Sequence, residues 1–299
     1  MTGRTLVVPA TGGAMLRVEE HLPAGGVAAD APVVVLAHGW TLSRASWAPV
    51  VDRLLQRRAV RVVSYDQRGH GGSTMGSARP SVRLLGEDLA TVLAVVAPTG
   101  PVVLGGHSMG GMTVLAYAGQ HHDELVARVR GVVLVSTAAS IEGRRPIPFE
   151  RFVMRACTLA PGIPAGPFVP KVAQRRLVFG RGADPADITA AVRQIQRTAM
   201  PTIGHFFTAI SEHNEIDALA HLEAVPTHIL VGTDDRLTPQ RWSRLMHDSI
   251  PGSRLTVLPG KGHMLTYEAS DIVTEALLDM VDGRAPGAAE PPAPEAVAG

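Results

Sequence analysis

The sequence predicts an α/β protein: a mostly parallel eight-stranded sheet with helices on both faces, interrupted by a helical insertion. Three observations predict it. Compact apolar runs rich in Val and Leu alternate with stretches of helical periodicity. Those runs lack the apolar–polar alternation of half-exposed strands, as expected for strands covered on both faces. The strand–helix rhythm also stops once, after Val135, and resumes near Thr227.

In chain order, Thr5–Val8 and Met15–Glu20 flank the turn-forming Thr11-Gly12-Gly13 and read as an antiparallel hairpin. Four buried strands follow at Val33–Ala37, Arg61–Tyr65, Val102–Leu104 and Val132–Val135. Helical stretches near Ala45–Arg57, Leu84–Val96 and Met112–Gln120 separate them. Such alternation implies right-handed crossovers and parallel pairing. The first part of the core thus spans 1–138. Residues 139–222 hold no clear buried strand. Two Pro-rich stretches there, Arg145-Pro146-Ile147-Pro148 and Pro161-Gly162-Ile163-Pro164, punctuate helical segments near Phe149–Leu159 and Ile188–Glu212. The core returns over 223–282 with strands Thr227–Val231 and Arg254–Leu258 and helices near Gln240–Asp248 and Ala269–Val281. Residues 283–299, rich in Ala, Pro, Glu and Gly, cannot bury a core and are expected to be disordered.

Composition sets the outer bounds. The 299 residues are 45% hydrophobic and 18% charged, enough apolar material for a sizeable core. A formal net charge of +1 makes no case for a nucleic-acid partner, which needs a clustered basic excess. The single cysteine, Cys157, excludes a disulfide framework and a multi-Cys metal site. No apolar run approaches the roughly 18 residues of a membrane span. The patch Leu6-Val7-Val8 is too short for a signal peptide, which needs about 7–15 apolar residues. A soluble, cytoplasmic protein without cofactor or metal is expected.

Chemistry concentrates at Gly106-His107-Ser108-Met109-Gly110, a Gly-x-Ser-x-Gly set between a buried strand and a helix. A strand that turns at once into a helix strains the central residue and presses its neighbours at ±2 against backbone, where glycine fits. The turn lifts the Ser108 hydroxyl clear of the sheet, and the helix starting at Met109 offers N–H groups to a developing oxyanion. Serine needs a general base oriented by a third group. Of twelve histidines, His263 follows the last strand, where a loop reaches the strand C-terminal ends. The acid should follow a strand and precede His263. Asp234 and Asp235, after Thr227–Val231, both qualify, with Asp235 preferred; Glu142 is a weaker candidate. All six Phe (149, 152, 168, 179, 206 and 207) fall in the insertion, where they build its core, line an apolar pocket, or both.

Taken together, His38-Gly39-Trp40, Tyr65-Asp66-Gln67-Arg68-Gly69-His70-Gly71, the turn at Ser108, Gly232-Thr233-Asp234-Asp235 with Pro239, and Gly262-His263 resemble the α/β-hydrolase fold superfamily over residues 5–282. The resemblance implies that Trp40 and Met109 donate the oxyanion N–H groups, that Asp235 is the acid, and that the insertion is a cap. It also implies that Asp66 and Arg68 hold a structural turn by their own charges. Serine at position 108, where dehalogenase-like and epoxide hydrolase-like members carry Asp, implies acyl transfer. The segment His38-Gly39-Trp40-Thr41-Leu42 with Ser46-Trp47 is similar to the cofactor-free haloperoxidase/perhydrolase branch, but Thr41 stands where that branch usually has Pro, which disfavours perhydrolysis. The expected function is hydrolysis of a carboxylic ester, thioester or lactone of a small to medium apolar acyl substrate. His107, Phe206 and Phe207 are expected to touch that substrate. Perhydrolysis, carbon–carbon hydrolysis and a non-catalytic receptor are the alternatives.

Overall fold

A computed structural model describes residues 2–284, apart from 24, 29, 145–147 and 167–170. Its strands form one eight-stranded sheet in the order β1-β2-β4-β3-β5-β6-β7-β8. These are β1 (Thr2–Ala10), β2 (Ala14–Leu22), β3 (Val33–Ala37), β4 (Arg61–Tyr65), β5 (Val102–His107), β6 (Val129–Val135), β7 (Thr227–Gly232) and β8 (Arg254–Leu258). The β1–β2 hairpin joins the sheet by antiparallel pairing with β4; every later pair is parallel. The expected fold class therefore holds. All five residues of β3 are buried, as are those of β5 and β7, which is why their sequences read as continuous apolar runs.

Helices cover both faces. On one, Trp47, Val50 and Leu54 around α1 (Ala48–Arg57) meet Val273 and Leu277 of α11 (Ser270–Val281) over the sheet. On the other, α2 (Val82–Val96) and α3 (Met109–Gln120) contribute Leu89, Leu93, Val114 and Leu115. Strand β5 continues three residues past Leu104, its expected end. Gly105 and Gly106 have little strand preference, but close packing holds them there: a Cβ on Gly105 would meet Leu36 at 2.7 Å. The short α4 (His122–Arg128), which has no strong apolar stripe, was not anticipated.

Between β6 and β7 the insertion supplies α5 (Glu150–Thr158), α6 (Lys171–Val178), α7 (Pro185–Arg197) and α8 (Met200–Ser211). The single helical segment expected over Ile188–Glu212 is broken at Thr198-Ala199. Pro201 cannot donate an interior helical bond, so it sits in the first turn of a new helix. The freed backbone is used: Ala165 N–H donates to Thr198 O at 3.0 Å and Met200 N–H to Ile163 O at 3.0 Å. Asp66 and Arg68 do not pair with each other. Asp66 takes the backbone N–H groups of Arg44 and Gly72, whereas buried Arg68 forks onto Asp88 of α2. At the C-terminus, Arg284 pairs with Asp279 and Asp282, so the first two residues of the expected tail are structured; residues 285–299 lie outside the described residues, as does Phe168. Two further helices, α9 (Gln240–Ser249) and α10 (Leu265–Glu268), complete the core.

Candidate active site

Ser108 stands between β5 and α3 with φ 54° and ψ −118°, a conformation that L residues rarely adopt. Its N–H donates to Val135 O at 2.9 Å, and its carbonyl accepts from the Gly111 and Met112 N–H groups and the Thr137 hydroxyl. The strain is held from both sides. A Cβ on Gly106 would lie 2.5 Å from Gly110 O, and one on Gly110 would collide with the carbonyl of Ala37. Glycine at both positions lets the strand, the turn and the helix close on one another. The loop after β3 reaches the same point: a Cβ on Gly39 would sit 3.2 Å from Ser108 Cβ. Trp40 is the next residue of that loop and Met109 opens α3 directly after Ser108; among the described residues neither N–H donates to a backbone carbonyl outside the helices and strands.

His263 and Asp235 come from the loops after β8 and β7. His263 Nδ1 lies 2.9 Å from Asp235 Oδ2. The same carboxylate accepts from the Leu237 and Thr238 N–H groups through Oδ1 and from the Thr238 hydroxyl through Oδ2. Burial opposes ionisation of Asp235, but the neighbouring His263 and the Thr238 donors outweigh it, holding the carboxyl below its ordinary value. An ionised carboxylate only accepts, so Nδ1 carries the proton and Nε2 is left as a base. Asp234 faces elsewhere, with its N–H on Lys261 O and its side chain toward exposed Arg181. Glu142 is exposed and lies apart, beside a second cavity. Geometry thus separates the three acids.

Ser108 and His263 line one cavity of about 500 Å³. Core loops supply Gly39 to Leu42, Leu237 and Met264; the insertion supplies Val153, Met154, Leu177, Ile203 and Phe207. The insertion therefore covers the strand C-terminal ends. Of the three expected contact residues, Phe207 lines the cavity and packs against Trp40, with ring centroids 6.1 Å apart. Phe206 does not: it is fully buried, its ring 4.9 Å from that of His70. Adjacent residues of a helix point about 100° apart, so the pair divides between cavity and core. His107 lines the cavity yet is fully buried, its Nε2–H donating to His263 O at 2.9 Å, which props the histidine loop. Burial and the neighbouring His263 lower its pKa to about 3.

Two supporting residues carried no sequence signal. Glu268 of α10 accepts from the N–H groups of Gly180, Gly262 and Met264, tying the histidine loop to the end of α6. Gln194 of α7 accepts from the Ser43 N–H and hydroxyl, fastening the Trp40 loop. Among the described residues no cluster of His, Cys, Asp or Glu could hold a metal ion, and no helix is long and apolar enough to cross a membrane.

A strained turn and a cavity at the carboxyl ends of a parallel sheet, beneath inserted helices, define the class of α/β hydrolases. Residues 34–276 match the Alpha/beta hydrolase family, and the chain belongs to it. It is similar to a non-heme haloperoxidase of Rhodococcus erythropolis, 30% identical over 83% of this chain and 92% of that protein. It also resembles a bifunctional esterase/perhydrolase of Acinetobacter calcoaceticus, 26% identical over 84% of this chain and 92% of the relative. Among solved structures, a thermophilic esterase from Thermogutta terrifontis superposes with a TM-score of 0.77 at 24% identity, over 95% of this chain and 100% of that one.

Proposed function

We propose that the protein is a serine hydrolase that cleaves a carboxylic ester, thioester or lactone of a small to medium apolar acyl substrate. The observation that carries the reading is the convergence of Ser108 and the Asp235-tethered His263 on one apolar cavity. The acyl group lies among Phe207, Ile203 and Val153. His263 Nε2 takes the Ser108 proton as Oγ attacks the carbonyl carbon, and the oxyanion faces the Trp40 and Met109 N–H groups. His263 then protonates the leaving alkoxide or thiolate, giving an acyl-enzyme. Water, deprotonated by His263, attacks the ester of Ser108 and releases the acid. Asp235 stabilises the imidazolium throughout without taking its proton.

Hydrolysis is preferred over perhydrolysis on one geometric ground. Thr41 has φ 63°, and its carbonyl accepts from the Thr198 hydroxyl of the insertion at 2.8 Å. A pyrrolidine ring fixes φ near −65°. The loop carrying Trp40 is therefore of a kind that a proline at 41 could not adopt. The reading is tested with an organophosphonate and a panel of p-nitrophenyl esters of rising chain length, run beside thioesters, lactones and bromide-dependent peroxidation. Labelling on Ser108, with esterolysis lost in Ser108→Ala by about a thousandfold or more, is expected. An unlabelled protein that binds acyl ligands without turnover would make it a receptor instead.

A further inference from the structure

The first half of the insertion carries a basic excess that the near-neutral total conceals. Residues 141–182 hold eight Lys and Arg against two Glu, so the rest of the chain is net acidic. Arg151, Arg155, Arg175, Arg176 and Arg181 are all exposed. Helix α5 adds an apolar stripe on its outer side. Phe149, Phe152, Val153 and Ala156 follow the i, i+3, i+4, i+7 spacing of a single helix face. Yet Phe149 is 81% exposed, Phe152 75% and Val153 50%, and Leu159 just past the helix is 82% exposed. The other side of α5 is committed to α8, close enough that a Cβ on Gly204 would collide with Met154 O. Arg151 and Arg155, one turn apart and both exposed, lie on the Phe152 side of the outer stripe.

We propose that this face docks on an anionic lipid surface. Phe149, Phe152 and Leu159 enter the boundary between headgroups and acyl chains, while Arg151 and Arg155 meet the anionic headgroups. A second copy of the chain fits poorly, because a two-fold contact would set the basic excess against itself. A nucleic acid would satisfy the arginines but leave the exposed Phe and Leu side chains in water. Lipid accounts for both. The cavity opens on the same side: Val153 and Leu177 line it and are each half-exposed. An apolar acyl substrate could thus pass from lipid to Ser108 without crossing water, a consequence that rests on the proposed hydrolase reading, whereas the docking itself does not.

Flotation of the full chain with phosphatidylcholine vesicles, and with vesicles of equal phosphatidylcholine and phosphatidylglycerol, tests the proposal. Binding to the anionic vesicles alone is expected, weakening as salt rises and the Debye length shrinks. Paired Arg151→Glu and Arg155→Glu changes should weaken partition at least about tenfold, since each basic residue near such a surface contributes on the order of 1 kcal/mol. Phe152→Ser with Leu159→Ser should do the same while leaving kcat/KM on a water-soluble ester unchanged. Ser108→Ala protein should float as the unaltered chain does, so loss of catalysis and loss of docking are read separately. Absence of flotation, equal binding to both vesicles, or a solution dimer that the Phe152 and Leu159 changes dissociate overturns the proposal.

Discussion

Two neighbouring aspartates carry the sharpest contrast between side chains. Asp235 is buried and accepts four hydrogen bonds, one of them from His263 Nδ1 at 2.9 Å; Asp234 is only partly buried and faces exposed Arg181 at 3.9 Å. Asp235→Asn replaces one acceptor oxygen by an NH2 donor, which leaves the packing but favours the wrong imidazole tautomer. A fall in kcat of about four orders of magnitude is expected, against less than about twofold for Asp234→Asn. Steady-state kinetics on a short ester decide it, and a larger loss for Asp234→Asn would reassign the acid. Ser108, His263 and the 234–235 pair were legible because their chemistry is written into fixed local frames: flanking glycines at the turn, and loops just past a strand. Thr238 and Glu268 were not. Thr238 donates to Asp235 from three residues along the same loop, and Glu268 ties its loop to Gly180 of the insertion; neither residue type is unusual at its position. Phe206 and Phe207 show the same limit from the other side, since composition placed both in the insertion but only helix phase assigns one to the cavity.

Among elements, the register of α5 on α8 determines the shape of the cavity. Gly204 is the close-approach point, and its missing side chain lets the backbone at Met154 and Thr158 come against α8. An alanine there must push α5 outward, because the obstructing atoms are backbone and cannot rotate away. The same helix carries Val153 and Met154 into the cavity. Gly204→Ala should therefore cost about 1–3 kcal/mol by overpacking and shift ester preference toward longer acyl chains. Thermal melts with the chain-length panel check both halves; an unchanged chain-length profile would show that α5 does not set the cavity. The central strands β3, β5 and β7 were readable from apolar runs alone, because each is covered on both faces. The break between α7 and α8 was less so: periodicity continues across it, and Pro201 alone marks the restart. The partners of Asp66 and Arg68 were out of reach for a further reason. Their charges suit one another in sequence, but the turn directs Asp66 to Arg44 and Arg68 to Asp88.

At the scale of the whole molecule, the buried histidines govern the response to acid. His70, His107, His213 and His228 each hydrogen-bond through one ring nitrogen, to Arg68 O, His263 O, Ala138 O and Thr256 Oγ1. The other nitrogen of each is buried and, among the described residues, has no partner. A second proton on any of them would be a buried charge without an acceptor. Burial is the main cause that lowers His70 and His107 to about 3 and His213 and His228 to about 4. In the unfolded chain the same rings titrate near 6.5, so below that pH the unfolded state binds more protons than the native one. Stability is complete above about pH 7 and is lost as pH falls from 6.5 toward 4. Each ring contributes up to about 1.4 kcal/mol per pH unit in that window. Four together would remove an amount comparable to the whole stability of a typical domain. The midpoint of thermal unfolding should therefore drop steeply from pH 7 to 5; at pH 5.5 these four rings alone should take up close to four protons on unfolding, and His38 and His21, also lowered by burial, add to that. His228→Gln retains a side-chain amide donor toward Thr256 while deleting one titrating ring, and it should lower that uptake by about one proton. A melting midpoint that stays level from pH 7 to 5 would falsify this account, because neutral buried rings cannot avoid the linkage.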